Sequence, residues 1–263
     1  MMSQIEAVVR PLTLTDNELY FYQEYGYLTI PGFLTEEVVA PLREQVLDVL
    51  DANGISRAQM DHASDTADKL RQNPQYLAGS LLDTLINGAN TMAIASQLIG
   101  GRAVRYLPFT AVKAGGGGGQ FHFHQDNNYT RHDPALGSIN IWVALVDMTP
   151  ENGCLQMVPG SHKAGVLDWE NAGDGDTHRK VKLDPQTFLP IRMRAGDAVA
   201  FTRLTVHGSG PNATDKARVA YGLQYHRADV KFFDVRDESW KLLVDNRRFQ
   251  TEPVAQLGPQ EGR

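Results

Sequence analysis

The period at which apolar residues recur changes once along this chain, near residue 101. Before that point it is helical, with apolar side chains three or four positions apart. Residues 15–25 predict a short helix with Thr15 or Asp16 as its cap and Glu18 in the first turn. Residues 27–30 read as an extended piece stopped by Pro31-Gly32. A longer helix is expected over 35–52, where Val38, Val39, Leu42, Val46, Leu47 and Leu50 share one face and Asn53-Gly54 ends it. Pro41 inside that pattern predicts a separate or kinked first turn. Residues 61–73 are charged and weakly periodic, a surface segment, and 79–98 predict one or two helices closed by Gly100-Gly101.

After Arg102 the period becomes two. Residues 103–113 are strand-like and run into five consecutive glycines, 115–119. The run lacks the Gly-Lys-Ser/Thr ending of a phosphate loop, so it reads as a flexible hairpin connection, with a lid as the alternative. Further strands are expected at 120–126, 138–146, 154–158, 188–194, 197–202 and 217–226. Turn signals fall at 149–153, 159–160, 195–196 and 208–212. Short strands at such spacing predict a sandwich or barrel. Two strands have an apolar face that asks for a covering layer: Ile141, Val143 and Leu145 on one, Val219, Tyr221, Leu223 and Tyr225 on the other. Their opposite faces carry Asn140, Trp142 and Ala144, and Arg218, Ala220, Gly222, Gln224 and His226, the lining expected of a cavity. The tail after 251 is rich in Pro, Gln and Gly and is expected to be loosely held.

Composition narrows the classes. The chain has 263 residues, 42% of them hydrophobic, and a net charge of −6, so it can bury a sizeable core and shows no basic patch for nucleic acid or anionic lipid. Its single cysteine, Cys154, precludes an internal disulfide and fits a reducing compartment. The first residues lack the basic start and apolar core of a signal peptide, and no apolar run has the length of a membrane span. The expectation is a cytoplasmic protein without membrane association. Its oligomeric state is not written in the sequence.

The chemistry centres on QFHFHQDNNY, residues 120–129. In an extended chain, alternation sends His124 and Asp126 to one face. His207, in THE segment TVHGSGPN, is the best third ligand. Two His and one carboxylate on one octahedral face suit non-haem Fe(II) oxygenases. One His-x-Asp triplet is weak evidence alone, and its context supplies the weight. His122 would share the inward face as a supporting donor or a substrate contact. His62, His132, His162, His178 and His226 have no carboxylate at ligand spacing and read as ordinary surface or satisfied histidines. Arg218 reads as a structural ion pair when taken by itself; beside a metal trio it suggests an anionic cosubstrate, because its planar fork matches a carboxylate.

Taken in order, His124-Gln125-Asp126, the block SINIWVALVDMTPENGCLQMVPGSHKAG, HGSGPN from His207, and Arg218 resemble the phytanoyl-CoA dioxygenase family. The likeness spans about residues 106–226, and the helix-strand-helix start also fits. It implies a mainly β fold with flanking α-helices, built on a double-stranded β-helix of the jelly-roll, cupin-like kind. As one oxygenase domain, 1–101 would form a mostly helical layer, 102–228 the core and 229–263 an extension. It implies Fe(II) on His124, Asp126 and His207, with 2-oxoglutarate and O2 as cosubstrates and ascorbate as the reductant in vitro. Arg218 and Ser209 would bind the distal carboxylate of 2-oxoglutarate, Trp142 would lie beside it, and Asn140 is a weaker candidate for the same pocket. The contact from the preceding strand maps to Phe109 or Lys113. The implied reaction hydroxylates a small molecule and converts 2-oxoglutarate to succinate and CO2, with desaturation or epimerisation as alternatives. A carboxylate at 126 argues against halogenation. Inward or rim positions nominate His122, Asn128, Tyr129, Gln224 and His226 for substrate. A non-catalytic, cupin-like metal-binding sensor is the contrasting class, and Arg218 with Trp142 argues against it.

Overall fold

The structure, a computed structural model, describes residues 7–60, 76–117, 119–173, 178–182, 187–244 and 250–251. The expectations for 61–73 and for the tail after 251 lie outside these residues. Helix α1 (Asp16–Tyr25) opens on a reciprocal cap, in which Thr15 Oγ1 accepts from the Glu18 N–H and the Glu18 carboxylate accepts from the Thr15 N–H. It ends at Gly26, whose φ of 80° is left-handed, and a Cβ there would lie 2.4 Å from the His162 ring. Strand β1 (Tyr27–Ile30) follows as expected, then helix α2 (Glu36–Ala52). Of the separate or kinked first turn expected from Pro41, the separation is not seen: α2 runs through Pro41 as one helix. Proline costs a helix interior about 3 kcal/mol. The buried stripe Val38, Leu42, Val46, Val49 and Leu50 outweighs that, at about 1.5–3 kcal/mol per side chain. Two further helices, α3 (Leu81–Asn87) and α4 (Ala89–Leu98), are parted by Gly88, where a Cβ would meet the Thr84 carbonyl oxygen at 2.6 Å.

The strands that follow are β2 (Ala103–Lys113), β3 (Phe121–His124), β4 (Ser138–Ala144), β5 (Leu155–Met157), β6 (Leu189–Pro190), β7 (Ala198–Thr202), β8 (His207–Ser209) and β9 (Arg218–Arg227). They form two antiparallel sheets, a larger one in the order β1-β7-β4-β9-β2 and a smaller one in the order β6-β5-β8-β3. This is the double-stranded β-helix expected. A hairpin of Lys231–Asp234 and Ser239–Leu242 pairs with His132–Asp133 beyond it. Among the described residues no helix is long and apolar enough to cross a membrane.

Three expectations are corrected. Residues 208–212 do not all turn: β8 runs through Gly208 in mid-sheet, because a Cβ there would stand 2.9 Å from the Phe121 carbonyl oxygen and only glycine lets β3 approach. The stretch 188–194 is strand only at Leu189–Pro190. The glycine run is not a hairpin, since β2 and β3 belong to different sheets and the run crosses between them. Three of its N–H groups are engaged: Gly115 donates to Met60 O, Gly116 to Thr214 O and Gly117 to Asn212 O.

Alternation in β4 and β9 sorts the interior. Ile139, Ile141, Val143, Val219, Tyr221, Leu223 and Tyr225 join the apolar faces of the helices in one core. Trp142, Ala144 and Ala220 turn the other way, onto Met157, Ile191 and Phe201 between the sheets. The helical layer therefore closes the outer face of the large sheet and leaves its inner face free to line a hollow.

Candidate active site

In the small sheet β3 and β8 lie side by side, with His124 directly opposite His207. The register shifts between there and the Ser209–Phe121 pair, so three steps on β3 match two on β8, a β-bulge. Phe121 and His124 consequently both line the hollow, although simple alternation would part them. Asp126 is not on the strand, as had been expected; β3 stops at His124 and Asp126 opens a 3₁₀ turn, Asp126–Asn128. The turn brings its Oδ1 to 3.5 Å from His124 Nε2 and 3.8 Å from His207 Nε2. One donor atom from each of the three lies within 4.8 Å of the others.

The supporting contacts fix which atoms point inward. His124 Nδ1 lies 2.7 Å from the His122 carbonyl and His207 Nδ1 lies 2.9 Å from the Thr205 carbonyl. Carbonyls only accept, so each Nδ1 holds the proton and each Nε2 presents a lone pair. Asn140 Nδ2 donates to Asp126 Oδ2. Burial raises the Asp126 pKa, but the charges of His207 and Arg203 and the interactions with His124 outweigh it, so the carboxyl is held below its usual range. Burial, and then the charge of His124, pushes His207 down to about 4. An ionised carboxylate beside two imidazoles with inward lone pairs is a donor set that fits a divalent metal ion.

The far end of the hollow is cationic. Arg218 is 2% exposed; it donates to the carbonyls of Gly153 (2.9 Å) and Ala111 (3.3 Å), its guanidinium carbon lies 4.9 Å from the Trp142 ring centroid, and its Nε has no partner. Lys113 stands directly opposite on β2, equally buried, donating to Ser209 Oγ at 2.7 Å and to the Gly210 carbonyl. Burial, and then the charge of Arg218, pushes the Lys113 ammonium down to about 6; burial brings Arg218 to about 9. Among the described residues no carboxylate pairs with either. A buried guanidinium facing only neutral acceptors is costly unless an anion joins it.

A family model described as phytanoyl-CoA dioxygenase matches residues 22–220. The chain belongs to the phytanoyl-CoA dioxygenase family. With that membership it is a 2-oxoglutarate-dependent non-haem iron dioxygenase, and the sensor alternative is set aside. It is 30% identical to a methylphosphonate hydroxylase of Gimesia maris over 90% of this chain and 88% of that protein. It is 27% identical to an L-proline trans-4-hydroxylase of Streptomyces griseoviridis over 78% and 84% of the two chains. Its fold is similar to that of EvdO2 from Micromonospora carbonacea var. aurantiaca, solved with 2-oxoglutarate, at a TM-score of 0.67 and 22% identity over 92% of this chain and 99% of that one.

In this dioxygenase Phe109, Asn140, Trp142, Ser209 and Arg218 all line the inner hollow, and Lys113 reaches it through Ser209. A second, outer cavity shares Phe109, Phe121, His124 and Asp126 with the first, and Tyr129 and Gln224 stand in its wall. The Tyr129 ring centroid lies 5.5 Å from that of His124, and its hydroxyl accepts from the Arg179 N–H. Three residues expected to face the substrate line neither cavity. His122 is displaced by the bulge; Asn128 is buried in the turn after Asp126; His226 is buried beside Tyr106 at the far end of β9. His132 and His162 are buried core histidines, each bonded through one ring nitrogen, to Ser138 Oγ and to the Gln23 carbonyl, and the other ring nitrogen of each is buried without a hydrogen-bond partner.

Sequence reasoning missed Phe201, whose ring lies 4.6 Å from that of His207, and Arg203. Phe201 was legible, since alternation along β7 sends it inward with Val199. Arg203 follows the end of β7 and carries no periodic signal.

Proposed function

We propose that His124, Asp126 and His207 hold Fe(II) and that the chain hydroxylates a small organic molecule at the expense of 2-oxoglutarate and O2. One observation carries the reading: the three donor atoms stand at one end of a hollow whose other end is a buried guanidinium, Arg218, with no carboxylate paired to it among the described residues. A dicarboxylate satisfies both ends. Arg218 would receive its distal carboxylate together with Ser209, whose hydroxyl Lys113 orients, while Trp142 and Phe109 wall its chain. When bound, iron with 2-oxoglutarate and O2 supplies the oxidant, and 2-oxoglutarate leaves as succinate and CO2.

The rest falls to side chains. Asn140 and Arg203 hold Asp126 by its carboxylate and its carbonyl. Keeping the ligand count at three preserves open positions. Leu155 and Phe201 exclude water from the inner wall. The outer cavity, which shares His124 and Asp126 with the inner hollow, is the place for substrate. Relatives named as hydroxylases favour hydroxylation over desaturation or epimerisation.

Succinate release with Fe(II) and ascorbate across a metabolite panel tests this, with product mass as the second readout. A product heavier by one oxygen supports hydroxylation. A product short of two hydrogens, or of unchanged mass, moves the outcome to desaturation or epimerisation. No succinate with any metabolite counts against the assignment.

A further inference from the structure

The outer cavity has a polar wall of Tyr106, Tyr129, Thr130, His178, Arg203 and Gln224, and apart from Asp126 no carboxylate among the described residues lines it. Arg203 is 3% exposed. Its Nη2 donates to the carbonyls of Asp126 (2.9 Å) and Thr130 (3.1 Å), and its guanidinium carbon stands 5.9 Å from the Tyr106 ring centroid. Its Nε is buried and meets no acceptor. Among the described residues no side-chain carboxylate pairs with it. A guanidinium keeps its proton under all ordinary conditions, so Arg203 brings a full positive charge to a wall whose one carboxylate among the described residues, Asp126, acts on it through space and is assigned to the metal. The nearby His132 adds no charge of its own: burial, and then Arg203 and His226, pushes it down to about 2.

Gln224 reaches the same cavity from β9, and its Oε1 is also buried without a partner. An ionised donor and a neutral acceptor are thus both unmet in one hollow. Each such vacancy is unfavourable, and a molecule carrying both an anionic oxygen and an O–H or N–H relieves the two together.

We infer that the substrate is a small oxyanion, a carboxylate or a phosphonate, whose charged head is bound by Arg203 while Gln224 accepts a hydrogen bond from the same molecule. The inference rests on the outer cavity being the substrate side of the iron site proposed above.

Isothermal titration of the full chain under argon, with Fe(II) and 2-oxoglutarate present, tests it. The probes are methylphosphonate, L-proline and a set of small hydroxy acids, each paired with its fully methylated ester, which for the phosphonate is the dimethyl ester. At least one acid binds, and its ester binds about thirtyfold more weakly or worse, the scale for losing one partner of a buried charge pair. Whether a phosphonate or a carboxylate responds identifies the anion. Arg203→Met loses a similar factor and Arg203→Lys recovers part of it. Should Arg203→Met fail to fold, the acid–ester comparison on the unaltered chain decides. Equal affinity for acid and ester, undiminished affinity in a folded Arg203→Met variant, or no acid bound while 2-oxoglutarate binds normally overturns the assignment. If the unaltered chain fails to bind 2-oxoglutarate with Fe(II), this inference falls together with the reading beneath it.

Discussion

Arg218 and Lys113 are cross-strand neighbours in an interior where no carboxylate among the described residues pairs with them, and each has a consequence that can be measured. Arg218→Ala removes the proposed partner of the distal carboxylate. The 2-oxoglutarate concentration for half-maximal succinate release should rise about thirtyfold or more, and an unchanged requirement would remove the assigned role. Lys113 holds its proton up to the ordinary 10.5 in the unfolded chain but releases it near 6 in the folded one. Between those values unfolding takes up a proton, so the folded state gains stability as pH rises, by at most about 1.4 kcal/mol per pH unit. The penalty is fully present below pH 6. Lys113→Met should flatten this slope in urea titrations of the metal-free protein between pH 6 and 9; parallel slopes for the two proteins would show that Lys113 does not titrate there.

At the scale of elements, β9 and β2 show how a strand's blank position shapes a site. Gly222 faces Phe109 directly, and a Cβ on it would lie 2.2 Å from the Phe109 ring, which lines both cavities. Gly222→Ala should drive that ring into the hollow and weaken 2-oxoglutarate binding about tenfold or more, on the scale of 1–3 kcal/mol for overpacking. Gly222→Ala with Phe109→Ala should restore part of the loss. A single variant that binds normally, or a double variant no better than the single, contradicts this account. The helices, β2, β4, β7 and β9 were legible from period and caps alone, because each buries one continuous face over many residues. The β3 bulge, the 3₁₀ turn at Asp126 and the mid-sheet strand through Gly208 were not. In each, contact with a neighbouring strand overrides the local pattern.

For the whole molecule, the ligand set draws one residue from β8, one from β3 and one from the turn after it, so filling the site ties distant segments together. Fe(II) with 2-oxoglutarate at about a hundred times its dissociation constant adds about 2.7 kcal/mol. For a chain of this size that is about 5–10 °C in Tm. Scanning calorimetry under argon should show this rise, chelation should reverse it, and Asp126→Ala should abolish both the rise and iron binding. Retained iron binding in that variant would refute the trio.

What the residues decided unaided was the division into a helical layer and a β core, the inward faces of β4 and β9, and which two histidines and one carboxylate the fold gathers. Those follow from side-chain type and period, which are local properties of the chain. What only the folded chain decided was the path of Asp126, the exclusion of His122, Asn128 and His226 from both cavities, and the arrival of Arg203 in the outer one. These depend on strand register and on which buried polar atoms find partners, and both are set by contacts between residues far apart in sequence.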